Sequence, residues 1–116
     1  MDRILLRSKL HQVRVTDVAL EYVGSIGVDE ALMEAAGMVA YEKVLIANLE
    51  NGQRFETYII PAPRDSGKIT LLGAAARLVH EGDRLIVFAF GVVPEAEVAG
   101  HTPKVVHVDE RNRLLP

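Results

Sequence analysis

A serine directly after a glycine, within Tyr22-Val23-Gly24-Ser25-Ile26-Gly27, is the first arrangement in this sequence that could do covalent chemistry. A hydroxyl there can attack the carbonyl of the residue before it. Glycine lacks a Cβ, admits strained backbone angles and leaves that carbonyl open, and attack within one chain has a high effective concentration. Taken alone, Gly-Ser in a loop is an ordinary turn. Three more segments carry chemical groups: Lys9-Leu10-His11, Asn51-Gly52-Gln53-Arg54-Phe55-Glu56-Thr57-Tyr58, and Gly73-Ala74-Ala75-Ala76. The planar guanidinium of Arg54 can grip a carboxylate through paired hydrogen bonds, and Lys9 can add a second positive charge, so together they suggest an anionic substrate.

Composition narrows the setting. The 116 residues, 49% of them hydrophobic, suffice for one domain over residues 1–116, and no linker divides them. The absence of cysteine excludes disulfides, thiolate nucleophiles and cysteine-based metal sites, which fits a cytoplasmic home. His11, His80, His101 and His107 have no metal-like spacing, so no metal is expected. A net charge of -3 with scattered basic residues argues against nucleic acid and for a small-molecule partner. The amino terminus lacks a signal-peptide core, and the best apolar run, Leu85 to Val93, is too short to cross a bilayer, so no membrane partner is expected.

The elements that must position these groups read as mainly β, with short strands between turn signals, the pattern of a small barrel or sandwich. Ile4 to Leu6 and Leu10 to Val15 form an opening strand pair or one bent strand, with Lys9 and His11 on one face. Glu21 to Val23 reads as a short strand ending at Gly24. Asp29 caps a short helix that stops at Gly37. Lys43 to Leu49 and Arg54 to Ile60 form a hairpin around Asn51-Gly52, ended by Pro61. Residues 61–67 read as a mobile loop, Lys68 to Leu72 as a strand, and Ala74 to His80 as a second small helix ending near Gly82. Arg84 to Phe90 reads as a buried strand, Lys104 to Val108 as an edge strand, and Asp109 onward as a polar tail. The order helix, glycine, strand thus occurs twice, as a duplicated barrel would have it.

Taken together, in this order and spacing, the four segments closely resemble aspartate 1-decarboxylase, a family of self-processing pyruvoyl enzymes, from about Arg3 to Val93. The resemblance implies a double-psi β-barrel and a homotetramer with active sites between subunits. It also implies cleavage between Gly24 and Ser25 into a β chain of residues 1–24 and an α chain of residues 25–116. Ser25 becomes a covalent pyruvoyl cofactor, whose ketone captures an amine and draws electrons as carbon dioxide leaves. The implied reaction turns L-aspartate into β-alanine in the cytoplasm, for pantothenate and coenzyme A. Among the site residues, Gly24, Ser25 and Thr57 serve processing, with Thr57 polarising the Gly24 carbonyl. Ser25 and Tyr58 are catalytic, Tyr58 returning a proton to the substrate carbon. Lys9, Arg54, Thr57, Gly73, Ala74 and Ala75 hold the substrate. A maturation factor is left open.

Two departures and one tension accompany the resemblance. Leu72 stands where the family usually has Asn, Ala47 replaces an aromatic seen in some relatives, and the tail after Pro94 matches poorly. Arg54 and Tyr58 share one face of a regular strand while Thr57 points to the other; twist, a bulge or a site shared between subunits would reconcile them. Two alternatives stay open: a non-catalytic barrel that binds a partner, and a pyruvoyl decarboxylase for another amino acid.

Overall fold

The computed structural model describes residues 1–116. Its elements run in the order β1 (Arg3–Arg14), β2 (Asp17–Ala19), β3 (Ser25–Asp29), α1 (Glu30–Ala36), β4 (Lys43–Asn48), β5 (Arg54–Ala62), β6 (Ile69–Leu72), a 3-10 helix (Gly73–Leu78), β7 (Arg84–Val93), α2 (Glu95–Val98) and β8 (Lys104–His107). The strands form one mixed sheet in the order β2-β6-β3-β5-β4-β7-β1-β8. Pairs β1–β8, β2–β6 and β3–β5 are parallel and the rest antiparallel.

The two sides of this order are joined beyond the end of β1. Just past β1, the Val15 N–H donates to the Asp83 carbonyl and the Thr16 N–H to the Ile69 carbonyl, each at 2.9 Å. The chain leaving β1 is thereby joined to the start of β6, and the sheet rolls around a core that includes Leu10, Ile26, Ile46, Ile59, Leu71 and Val87. Inward and outward residues alternate along β4 and the first half of β7, as expected of strands with one face on a core. β3 differs: it lies between β5 and β6 and is buried along its whole length, Ser25 and Asp29 included.

The mainly β expectation holds, and a rolled mixed sheet with short helices agrees with a double-psi barrel. The opening segment is one strand, β1, with register shifts between Leu6 and Ser8 and between Leu10 and Val13. Asp29 caps α1 by accepting from the Ala31 N–H at 2.8 Å, and Gly37 ends the helix at φ 68°. The β4–β5 hairpin is also as read.

Several elements differ from the sequence reading. The strand expected at Glu21 to Val23 is instead β2, four residues earlier, where Asp17–Ala19 has a partner in β6; Tyr22 and Val23 are exposed and unpaired. Pro61 does not end its strand, because β5 leaves the hairpin and continues as the parallel neighbour of β3, with Pro61 opposite Val28. The loop after it is anchored rather than loose: both Asp29 carboxylate oxygens accept hydrogen bonds from its backbone, from Asp65 N–H and Gly67 N–H at 2.9 Å. The second helix is a 3-10 helix ending at Leu78, well before Gly82, and β7 runs on to Val93.

The polar tail contains a buried residue. Asn112 is 1% exposed. Its side-chain oxygen accepts from the Arg14 N–H, and its amide donates to the carbonyls of Arg14 and Gly67, all at 2.8 Å. It ties the end of β1 to the loop before β6 across the barrel seam by bonding three backbone groups of Arg14 and Gly67. Asn112→Ala is expected to cost about 2–4 kcal/mol, since unsatisfied buried polar groups cost roughly 1–3 kcal/mol each. Denaturant melts measure it, and a loss below about 0.5 kcal/mol would mean that the tail contributes nothing to closure.

Candidate active site

The Gly24-Ser25 peptide lies where a bent segment enters β3. Ser25 is 1% exposed and pairs with Leu72 across the antiparallel β3–β6 ladder, whereas Gly24 is open to solvent. The Ser25 hydroxyl has only a long contact, 3.4 Å, to the Val23 carbonyl. Across from it stands the buried, apolar Leu72, which offers no polar side chain.

Gly73 makes the closest approach to this peptide. Its φ of +72° lies in the left-handed region, and a Cβ on it would sit 2.6 Å from the Gly24 Cα, 2.8 Å from the Gly24 nitrogen and 2.9 Å from the Tyr22 carbonyl oxygen. Only glycine meets both conditions. Gly24 itself has no left-handed angle, and a Cβ there would come no nearer than 3.8 Å to the Leu72 carbonyl oxygen. The conformational demand expected of Gly24 thus falls on Gly73 in the uncut chain. The 3-10 helix that begins at Gly73 has no side-chain cap, and Ala74 and Ala75 follow with short side chains.

Thr57 belongs to this group by register. The parallel β3–β5 pairs begin at Ile26 with Ile59, so Thr57 lies on β5 two residues before the first of these pairs, and Gly24 two residues before it on the other strand. Thr57 is half-buried and pairs with the buried Val44.

Arg54, Tyr58 and Lys9 form a second group, on the outer side of the sheet. Arg54 pairs with Ala47 and Tyr58 with Lys43. The Arg54 guanidinium lies over the Phe88 ring, 5.5 Å from its centroid. Phe88 stands opposite Lys9 of β1 and Leu45 of β4. The expected tension on β5 is therefore present, and no bulge within β5 relieves it: Thr57 occupies one face and Arg54 and Tyr58 the other. Phe88 was not singled out from the sequence, because only the strand register brings it between Lys9 and Arg54. Around this face Ile4, Phe90 and Val92 are exposed, and a groove of about 480 Å³ runs between Ile4, Leu45 and Phe90.

His11, next to Lys9 in the chain, meets His107 of β8 edge to face at 5.4 Å, and its Nδ1 is buried without a hydrogen-bond partner. Burial, then the positive charges of Lys9 and His107, hold its pKa below the ordinary imidazole value.

These segments have close counterparts in known proteins. The family model described as aspartate decarboxylase matches residues 1–115, so the match continues through the tail that the sequence reading had set aside. The chain is 50% identical over 115 residues to aspartate 1-decarboxylase of Heliobacterium modesticaldum, covering 99% of this chain and 87% of the relative. It is 53% identical over 114 residues to the aspartate 1-decarboxylases of a Geobacillus species and of Bordetella avium, covering 98% of this chain and 90% and 93% of those proteins.

Two expectations follow from the geometry. Gly73→Ala should destabilise the uncut chain by about 1–3 kcal/mol, the usual cost of a non-glycine residue in a strained backbone, and raise amide exchange at Gly24 and Ser25; unchanged exchange there would show that the contact with Gly24 is unimportant. For His11, the unfolded chain binds a proton more readily than the native one. Stability is therefore lost as pH falls through the unfolded imidazole pKa of about 6.5, and the loss continues until the native ring titrates. Thermal melts from pH 7.5 to 5 should fall more steeply for the parent than for His11→Gln, and parallel curves would contradict it.

Proposed function

Because the chain belongs to the aspartate decarboxylase family, we propose that it converts L-aspartate to β-alanine and carbon dioxide with a pyruvoyl cofactor made from its own Ser25. The observation that carries this reading is the family match over residues 1–115, which spans a Gly24-Ser25 peptide held under the Gly73 backbone. In maturation the Ser25 hydroxyl attacks the Gly24 carbonyl carbon and the amide becomes an ester. Elimination then frees the Gly24 carboxylate and leaves dehydroalanine at position 25, whose hydrolysis releases ammonia. The products are residues 1–24 and residues 25–116. In this reading Thr57, two residues before the first β3–β5 pair, supplies a donor for the oxyanion, an effect worth a few kcal/mol in a dry site. With Leu72 in place of Asn, no second side chain reaches the peptide from that strand.

The pyruvoyl ketone supplies the electron sink for decarboxylation, in the manner of other cofactors that stabilise carbanions. The short side chains of Gly73, Ala74 and Ala75 let the backbone approach the substrate beside it. Arg54 holds a substrate carboxylate, Lys9 adds charge of the same sign, and Tyr58 delivers the proton that replaces the lost carboxyl group.

The two faces of β5 are reconciled if sites form between subunits of a homotetramer. The cationic face of one protomer then meets the Ser25 face of a neighbour, and the exposed Ile4, Phe90 and Val92 support such packing. We place the enzyme in the cytoplasm, feeding pantothenate biosynthesis, and maturation proceeds with or without a helper protein. No helix is long and apolar enough to cross a membrane.

Incubation of the purified protein with L-aspartate should release β-alanine, and glutamate should compete poorly. Tyr58→Phe should lower kcat by roughly 10²–10⁴-fold, the usual contribution of a positioned acid, with KM changed less than about threefold and the chain still cut. Absence of β-alanine from cut protein would overturn the substrate assignment, and an unchanged kcat would remove Tyr58 from the proton transfer.

A further inference from the structure

We infer that Phe88 is a positioning residue for the substrate carboxylate, acting through Arg54. This rests on the reading of Arg54 as the carboxylate-binding group. Arg54 is on β5 and Phe88 on β7, with β4 between them. On the outer face, one cross-strand row runs Arg54, Ala47, Ile86 and the next runs Glu56, Leu45, Phe88, Lys9. An extended arginine can cross a neighbouring strand only if the residue beneath it is small, and Ala47 is the residue directly opposite Arg54. The guanidinium passes over β4 and comes to rest above the Phe88 ring.

The ring does two things there. Its negative face attracts the guanidinium, which fixes the plane of the fork that must meet a carboxylate. Phe88 also stacks on Phe90, 6.2 Å between centroids and 19° between planes, so the platform is supported from along its own strand. Lys9, directly opposite Phe88 on β1, carries the second positive charge on the neighbouring strand. The small residue at 47 and the aromatic at 88 thus form a pair: one opens the path for Arg54 and the other ends it.

The test uses processed protein, with cleavage of each variant confirmed by mass spectrometry and folding by thermal melts. The probe is succinate, a dicarboxylate without the amine needed for reaction, titrated calorimetrically. Phe88→Leu should weaken succinate binding about two- to fivefold, the range of a partly exposed cation–aromatic contact, and raise KM for aspartate similarly with kcat within twofold. Phe88→Tyr should restore both. Arg54→Gln should weaken succinate binding more, and adding Phe88→Leu to it should change nothing further.

An effect of Phe88→Leu that persists in the Arg54→Gln background overturns the inference, as does no effect of Phe88→Leu while Arg54→Gln still weakens binding. If Arg54→Gln leaves succinate binding intact, the underlying reading of Arg54 falls and this inference with it. A loss of kcat and thermal stability without the split between KM and kcat assigns Phe88 to packing alone and also overturns the inference.

Discussion

The close approach of Gly73 to Gly24 is the constraint on which the rest of this structure depends. A backbone in the left-handed region lies against another backbone with no room for a methyl group, and this happens where β6 gives way to the 3-10 helix and the entering segment gives way to β3. The antiparallel pairing of Ser25 with Leu72 continues directly from that contact and buries the serine at the first position of β3. From there β3 is enclosed by β5 and β6, and Asp29 at its far end anchors both α1 and the loop before β6. A fully buried strand is thus anchored at both ends, while the glycine before it stays open to solvent.

β5 divides the candidate site residues between its two faces. Its inner face carries Thr57, paired with the buried Val44, and its outer face carries Tyr58 and Arg54, whose guanidinium lies over Phe88. On the proposed reading, a single protomer holds the two halves of the site on opposite faces of one strand, and assembly would bring them together. The exposed apolar residues that surround the cationic face fit the same account.

Much of the fold was legible in the sequence where local rules decide it. The Asn51-Gly52 turn between two alternating runs specifies the β4–β5 hairpin, and Asp29 with Gly37 brackets α1. What local rules do not carry was missed. Glu21 to Val23 has strand-forming residues but no partner, since the pairing of β2 with β6 is set by distant residues. Pro61 reads as a strand end in a hairpin, yet β5 changes partners there and joins a parallel pair. Asn112 looks like part of a polar tail, because nothing in its neighbours reveals that it bridges residues 14 and 67. At the candidate site, residue type and order suggested which groups could take part, whereas the place of Phe88 came only with the strand register and the steric role of Gly73 only with the backbone contacts.

Mass spectrometry of the purified protein, with and without a carbonyl-reactive label, tests the central claim most directly. The account predicts two chains, residues 1–24 and residues 25–116, with the label on the amino terminus of the longer one. A chain that stays intact and unlabelled after prolonged warming and exposure to host extract would contradict it and favour a barrel that binds without catalysis.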